Sequence, residues 1–565
     1  MSKINHFIPE HRIAYFTMEV ALKSEIPTYS GGLGVLAGDT VRSAADLELP
    51  FVVVSLVSRQ GYFRQEIDAS GRQIEHPDPW EPSQWAEALG AKIAVKIEGR
   101  EVWIRAWLYV LQGHMNGAEP VLLLDTDLDE NHADDRMITH HLYGGDEAYR
   151  LKQEIVLGIG GVRMLQALGF KIRHYHMNEG HSALLGLELL QSFAHPQEDL
   201  REGESPYNLP RVRDMCNFTT HTPIEAGHDK FSYDLVDRLL GEVIDPGMLR
   251  SLAGSDCLNM TRLGLNVSEH INGVARKHAE VSRRMFPGYH VDAVTNGVHP
   301  FTWTHPAFSN LYDQYMRGWC HEPGTMVRAD LIPDEALWQA HVEAKRQLIE
   351  KVAAQRSIHL DPERPILGFG RRMTGYKRPD LLFSDLRQLK KIAEKQPFQL
   401  VMAGKAHPHD EGGKKLIETL QEQIRTCVDW ITMVYLPNYN MDIALAMVSG
   451  ADVWLNTPLR PLEASGTSGM KAAFNGVPSL SVLDGWWIEG CIEGVTGWAI
   501  GPETESANGD DAVDLYRKLE TVVLPLFYQD RSAWIKLMKG AISKNASFFN
   551  SHRMMRSYTT EAYLR

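Results

Sequence analysis

The 565-residue sequence predicts an α/β protein made of two parallel-sheet units in tandem. Three observations carry that prediction. Short apolar, β-branched runs such as Phe51 to Val57 alternate with longer helical patterns along most of the chain, and such runs suit strands buried on both faces of a parallel sheet. The alternation then restarts: an amphipathic stretch opening near Asp334 ends before Pro362, and a second strand–helix series begins at Pro365. Glycine-rich loops also follow strands in both halves, where ligands of open α/β sheets bind. A cleft between the two units is therefore the predicted site.

In order, Ile13 to Val20 reads as a buried strand, followed by the turn Thr28–Gly34 and a helix from Val35 to Leu47 with Ala37, Val41, Ala44 and Ala45 on one face. Ile93–Ile97 and Val102–Ala106 alternate around Glu98-Gly99-Arg100, a hairpin signal. Val121 to Leu124 is another buried strand, and Glu147 to Leu168 a helix ending at Gly169. His174 to Ser182 and Cys216 to Pro223 each place polar groups, histidines among them, at a strand end. Ser268 to Met285 reads as a helix, and Val291–Val294 leads into Thr295-Asn296-Gly297, where the first unit ends. The second sheet takes Ile366–Phe369, Leu400–Ala403, Ile431–Tyr435, Val453–Leu455 and Leu480–Leu483. Ala512–Val523 and Trp534–Phe548 are helical.

Composition narrows the function. The hydrophobic fraction of 44% is that of a globular protein with large cores. A formal net charge of −14 and no long basic run argue against nucleic acid or an anionic membrane as partner. The five cysteines are far apart and form no CxxC pair, so neither a zinc site nor a disulfide framework is expected, and no metal. Reduced thiols point to the cytoplasm. Met1 to Arg12 is polar and does not read as a signal peptide, and no apolar run is long enough to span a bilayer.

Two segments carry chemistry. Gly370 to Pro379 packs four cations, Arg371, Arg372, Lys377 and Arg378, into eight residues after a strand; Arg gives bidentate contacts to phosphate and Lys a point charge. Glu463 to Asn475 is a glycine- and hydroxyl-rich connection opening a helix near Ser468, with Lys471 in its first turn. Such a connection admits close approach of a ligand and offers free N–H groups, and a desolvated lysine there becomes reactive. By itself it reads first as a strand–turn–helix link with an ordinary surface lysine.

Taken as an ordered set, these segments resemble the α-glucan (glycogen, starch, maltodextrin) phosphorylases. Glu463-Ala-Ser-Gly-Thr-Ser-Gly-Met-Lys471 is similar to the family segment whose lysine carries pyridoxal 5′-phosphate as a Schiff base, and Arg371-Arg372-Met-Thr-Gly-Tyr376-Lys377-Arg378 to its phosphate-binding loop. Gly31-Gly32-Leu33-Gly34, Asn178-Glu-Gly-His181, Ile271 to His278 and Thr295-Asn296-Gly297 match further family segments in order, from about Tyr15 to Asn475.

The resemblance implies a GT-B architecture of two Rossmann-like domains facing a central cleft: residues 1–300, residues 301–545, and a C-terminal helix in 546–565 crossing back to the first. It implies reversible phosphorolysis of terminal α-1,4-linked glucosyl units with retention, giving α-glucose 1-phosphate, the cofactor's phosphate assisting the substrate phosphate. It assigns the cofactor to Lys471, Arg371, Thr467, Tyr439 and Trp303; phosphate to Arg372, Lys377 and Gly32; and the glucosyl unit to His181, Asn296, Glu463, Ser465 and Gly466. His181, Arg372 and Lys377 are the catalytic candidates. A homodimer fits the family, and the early first strand predicts no phosphorylation switch or usual allosteric site. The familiar Gly-Asn before Met-Lys is Ser468-Gly469 here, and Asn440 stands where many relatives have arginine. The alternatives are a nucleotide-sugar-dependent GT-B α-glucan synthase and a non-catalytic glucan-binding relative.

Overall fold

The computed structural model describes residues 2–201, 203–224, 227–241, 243–502 and 511–564. Its first sheet contains β1 (Ile13–Phe16), β2 (Phe51–Leu56), β3 (Glu87–Ile97), β4 (Arg100–Gln112), β5 (Ala118–Asp125), β6 (His174–Asn178), β7 (Cys216–Thr219), β8 (His270–Gly273) and β9 (Asp292–Ala293). The order is β9-β8-β7-β6-β1-β2-β5-β4-β3. All neighbours run parallel up to β5, and β4 and β3 close the edge antiparallel. β1 is central: Tyr15 lies opposite Val53 on one side and His176 on the other. β1 and β2 are buried at every position, as the uninterrupted apolar runs require.

The second sheet contains β10 (Ile366–Gly370), β11 (Gln399–Ala403), β12 (Thr432–Leu436), β13 (Val453–Asn456), β14 (Ser479–Val482) and β15 (Gly497–Ile500). All are parallel, in the order β12-β11-β10-β13-β14-β15. The chain therefore winds one way from β10 and the other way from β13, so a crevice opens beyond the ends of these two strands.

Two sequence expectations are corrected. Ser268 to Met285 is not one helix: β8 takes His270–Gly273 and the helix runs Arg276–Met285. β8 pairs with both β7 and β9, and a short apolar run cannot be told from a buried helix segment by periodicity alone. β15 was missed, since Gly497-Trp-Ala-Ile500 opens on glycine and does not alternate.

Helix Gly32–Asp46 covers the first sheet, and helix Asp334–Arg356 lies beside the second with Leu337, Ala344, Leu348 and Val352 buried. Helix Ser551–Tyr558 returns to the first sheet: Met554, Met555 and Tyr558 share a core with Tyr15, Val41 and Val53. Ser551 N donates to Val298 O (2.9 Å) and Val298 N to Phe549 O (3.1 Å). Just before β13, buried Asp452 takes bonds from His341 Nε2 (2.9 Å) and Ile366 N (2.7 Å) and an ion pair from Lys345 (2.9 Å). Among the described residues no helix is long and apolar enough to cross a membrane.

Candidate active site

A cleft of about 990 Å³ receives residues from both sheets, including Gly32, Glu19, His181, His221, Asn296, Trp303, Arg371, Arg372, Lys377, Tyr439, Glu463, Ser465, Gly466, Thr467 and Lys471. All thirteen residues singled out in the sequence line it.

The cation-rich loop leaves β10 at Gly370, where an added Cβ would meet the Tyr439 hydroxyl at 2.8 Å. Its four cations separate. Arg371 Nη2 and Lys377 Nζ converge on Glu463 Oε2 at 2.8 and 2.5 Å, and Arg371 Nη1 donates to Asn456 Oδ1 at 3.0 Å. Burial works against the Glu463 charge, but the two cations outweigh it and hold the carboxyl below its ordinary range. Arg372 is exposed to the cleft and makes no hydrogen bond or ion pair among the described residues. Its desolvation is outweighed by Tyr62, Glu19, Tyr376 and Tyr143, which favour the charge. Arg378 does not join the site. It turns away to Asp511 (2.6 Å) and the Thr457 and Pro458 carbonyls (2.9 and 2.8 Å).

Gly466 has φ +80°, and an added Cβ would sit 3.2 Å from the Glu463 carboxyl carbon and 3.3 Å from Arg371 Nη2. Glycine thus lets the loop fold over the ion cluster. Glu463 N donates to Asp484 Oδ2 (2.8 Å), and burial, with Glu463 adding, pushes the Asp484 carboxyl up to about 6.

Opposite stands the loop before helix Gly32–Asp46. Glu19 fixes it, accepting from Ser30 N (2.6 Å), Gly31 N (3.2 Å) and the Tyr143 hydroxyl (2.9 Å). Gly34 packs so tightly that a Cβ would lie 2.6 Å from Glu19 Oε2. Gly32 itself has open space where its side chain would be.

Lys471 lies in the short helix Ser468–Ala473, with Nζ 3.7 Å from the Trp303 ring centroid. Burial lowers its pKa to about 8, with Asp39 partly opposing. Trp303 is held by Asp39, which accepts from its indole N–H at 2.8 and 3.0 Å, and Asn475 Nδ2 donates to both Trp303 O (2.7 Å) and Lys471 O (3.1 Å). Among the described residues Lys471 Nζ has no hydrogen bond or ion pair. A buried amine with depressed pKa, unpaired among the described residues and in the cleft that Arg371, Tyr439 and Thr467 also line, fits an aldehyde cofactor that also carries a phosphate.

The rest of the wall is polar and unsatisfied. His181 Nδ1, Asn296 Oδ1 and Ser465 Oγ are buried with no hydrogen-bond partner among the described residues. His181 Nε2 stands 3.4 Å from Asp229, and burial, aided by Arg150, depresses its pKa to about 3, so its ring is neutral. Arg553 of the C-terminal helix holds the turn at Asn296 by donating to the Thr295 and Asn296 carbonyls at 2.7 and 3.0 Å.

Comparison with known proteins adds to this geometry. Residues 249–496 match the family model of carbohydrate phosphorylase. Maltodextrin phosphorylase of Thermococcus litoralis is 39% identical over 98% of this chain and 70% of its own length. Glycogen phosphorylase of Aquifex aeolicus is 35% identical, over 98% and 86%. An uncharacterised protein of Methanocaldococcus jannaschii is 31% identical over 97% of this chain and 99% of its own. The chain belongs to the carbohydrate phosphorylase family.

Within this carbohydrate phosphorylase, both departures from the usual motif have local causes. An added Cβ on Gly469 would strike Trp486 at 2.6 Å, leaving no room for a larger residue, and Ser468 Oγ accepts from the Trp454 indole at 3.0 Å. Asn440 caps helix Met441–Gly450, accepting from Ile443 N at 3.0 Å. Sequence reasoning missed Glu19, Tyr143, Arg150, Asp229 and Asp484. Only Glu19 left a trace, as a lone charge interrupting the apolar run from Ile13 to Val20.

Proposed function

We propose that this chain is an α-1,4-glucan phosphorylase that reversibly transfers terminal glucosyl units of glycogen, starch or maltodextrin to inorganic phosphate, releasing α-D-glucose 1-phosphate with retention. The observation that carries this reading is one cleft lined by Arg372 and by three polar atoms, all without hydrogen-bond partners among the described residues, together with a buried Arg371–Lys377–Glu463 cluster and the buried amine of Lys471. Maltodextrin and glycogen phosphorylases among its relatives support the substrate class.

The chain reads as a GT-B protein: Rossmann-like domains at 1–300 and 301–545, with 546–565 crossing back. Arg372, Lys377 and the Gly32 loop bind the substrate phosphate. Glu463 accepts a sugar hydroxyl proton, and Ser465, Gly466, Asn296 and His181 orient the glucosyl unit. The C1–O4 bond breaks, the new C1–O bond forms to phosphate on the same face, and the proton of the incoming hydrogen phosphate moves to the departing O4. Concentrated cationic charge stabilises the phosphate beside the oxocarbenium-like carbon. Lys471, Arg371, Thr467, Tyr439 and Trp303 would hold pyridoxal 5′-phosphate, which would supply a second phosphate beside the substrate's own. The sequence around Glu463 offers no second carboxylate motif of the glycosidase kind. The enzyme works in the cytoplasm, as a homodimer.

The test is glucose 1-phosphate formation from maltodextrin and phosphate, together with the absorbance of a lysine-bound cofactor in the purified protein. An active enzyme with no such absorbance, dependent on a nucleotide sugar, would point to the synthase instead.

A further inference from the structure

Three metal-ligating side chains meet inside the protein. Asp46 ends helix Gly32–Asp46, His299 follows the Thr295–Gly297 turn, and His552 lies in helix Ser551–Tyr558. Their side chains are 1%, 3% and 0% exposed. One ligand atom from each lies within 4.8 Å of the other two.

The arrangement is only half satisfied. Asp46 Oδ1 accepts from His114 N (2.5 Å) and Met115 N (3.1 Å), and Oδ2 takes the His299 Nε2 contact at 2.9 Å. His552 Nε2 is 3.6 Å from the same oxygen and has no hydrogen-bond partner among the described residues. That separation is too long for a hydrogen bond. A fully buried imidazole nitrogen aimed at a carboxylate it does not reach is a costly arrangement unless something lies between them.

We propose that Asp46, His299 and His552 bind a divalent transition-metal ion of the zinc class, which ties the C-terminal helix and the His299 segment to the last turn of helix Gly32–Asp46. Two imidazoles and one carboxylate select zinc-like ions over calcium or magnesium. Bonds of about 2.0–2.2 Å to such an ion imply donor separations of about 3.4 Å in a tetrahedron, between the 2.9 and 3.6 Å found at Asp46. The other ring nitrogens already have outer partners: His299 Nδ1 lies 2.7 Å from Thr302 Oγ1, and His552 Nδ1 lies 3.2 Å from Ser43 Oγ. Protons balance within the site. The His299 proton moves from Nε2 to Nδ1, where Thr302 Oγ1 accepts it (2.7 Å) and the bond that Thr302 N donates to Nδ1 (3.2 Å) is given up. His552 carries its proton on Nδ1, and Asp46 is already ionised. No spacing motif announced the site, because Asp46 and His299 stand 253 residues apart.

The test is elemental analysis of full-length, untagged protein from zinc-supplemented cells, washed with chelator and gel-filtered, beside His552→Gln prepared identically. One zinc per chain in the native protein, lost in the variant, is the expected result. Less than a tenth of an equivalent in folded native protein, or equal zinc in both, overturns the proposal. Should His552→Gln fail to fold, native protein from cobalt-supplemented cells decides: tetrahedral cobalt(II) absorption supports the site, and its absence overturns it.

Discussion

Lys377 Nζ and Glu463 Oε2 lie 2.5 Å apart in a pocket where each side chain is 8% exposed, and Arg371 reaches the same carboxylate oxygen at 2.8 Å. One buried carboxylate thus holds two cations together, beside Arg372, which makes no hydrogen bond or ion pair among the described residues. In the proposed reading this cluster receives the substrate phosphate.

Glu463→Gln leaves two buried cations facing each other. Removing one partner of such a cluster costs about 3–5 kcal/mol, so thermal unfolding is expected to move down by several degrees. Inorganic phosphate, bound by the released cations, should recover part of the loss, and glucan turnover should fall at least about 100-fold, as for a lost transition-state contact. Calorimetry with and without phosphate checks this; a variant as stable as the parent contradicts the picture.

Lys471→Met removes an amine that burial holds near a pKa of about 8 against an ordinary 10.5. Between those values the unfolded chain binds a proton that the folded chain has released. The stability of cofactor-free protein therefore rises as pH climbs from about 8 toward 10.5. The variant should lack that rise and, at pH 7, be more stable than the cofactor-free parent by on the order of 1–3 kcal/mol. It should also lack cofactor absorbance and activity. Urea unfolding at a series of pH values measures the slope.

Glu19→Gln weakens the carboxylate that organises Ser30 N, Gly31 N and Tyr143. Charge-assisted bonds to backbone amides contribute about 1.5–3 kcal/mol each, so the loop before Gly32 should loosen. The expected outcome is a KM for phosphate raised about tenfold or more, with the KM for maltodextrin changed less. Equal effects on both would remove the loop from phosphate binding.

Asp452 is held at about 2: burial opposes its charge, but Lys345 and His341 prevail. Its contribution to stability is fully present above the unfolded carboxyl value of about 3.9 and disappears as pH falls toward 2. Asp452→Ala should cost about 3–5 kcal/mol at pH 7 and show a shallower acid transition than the parent, measured by circular dichroism against pH.

Much of the fold and of the site is legible in the sequence. Phe51 to Val57 and Ile366 to Phe369 announce buried parallel strands because nothing polar interrupts them. Gly466, Arg371 and Lys471 announce a site because glycine, cation and amine recur where strands end. What stayed hidden depends on tertiary pairing. His270–Gly273 is a strand only because β7 and β9 flank it. Arg378 is chemically equal to Arg372, yet Asp511 draws it out of the cleft. Arg150 and Asp229 meet His181 from distant segments with no motif around them.

The most direct test of the central claim is initial-rate release of glucose 1-phosphate from maltodextrin and inorganic phosphate by the purified protein, beside Lys471→Met. The account predicts phosphate-dependent release of the α-anomer by the parent and none by the variant. Absence of glucose 1-phosphate from cofactor-loaded parent, or undiminished release by Lys471→Met, would contradict it.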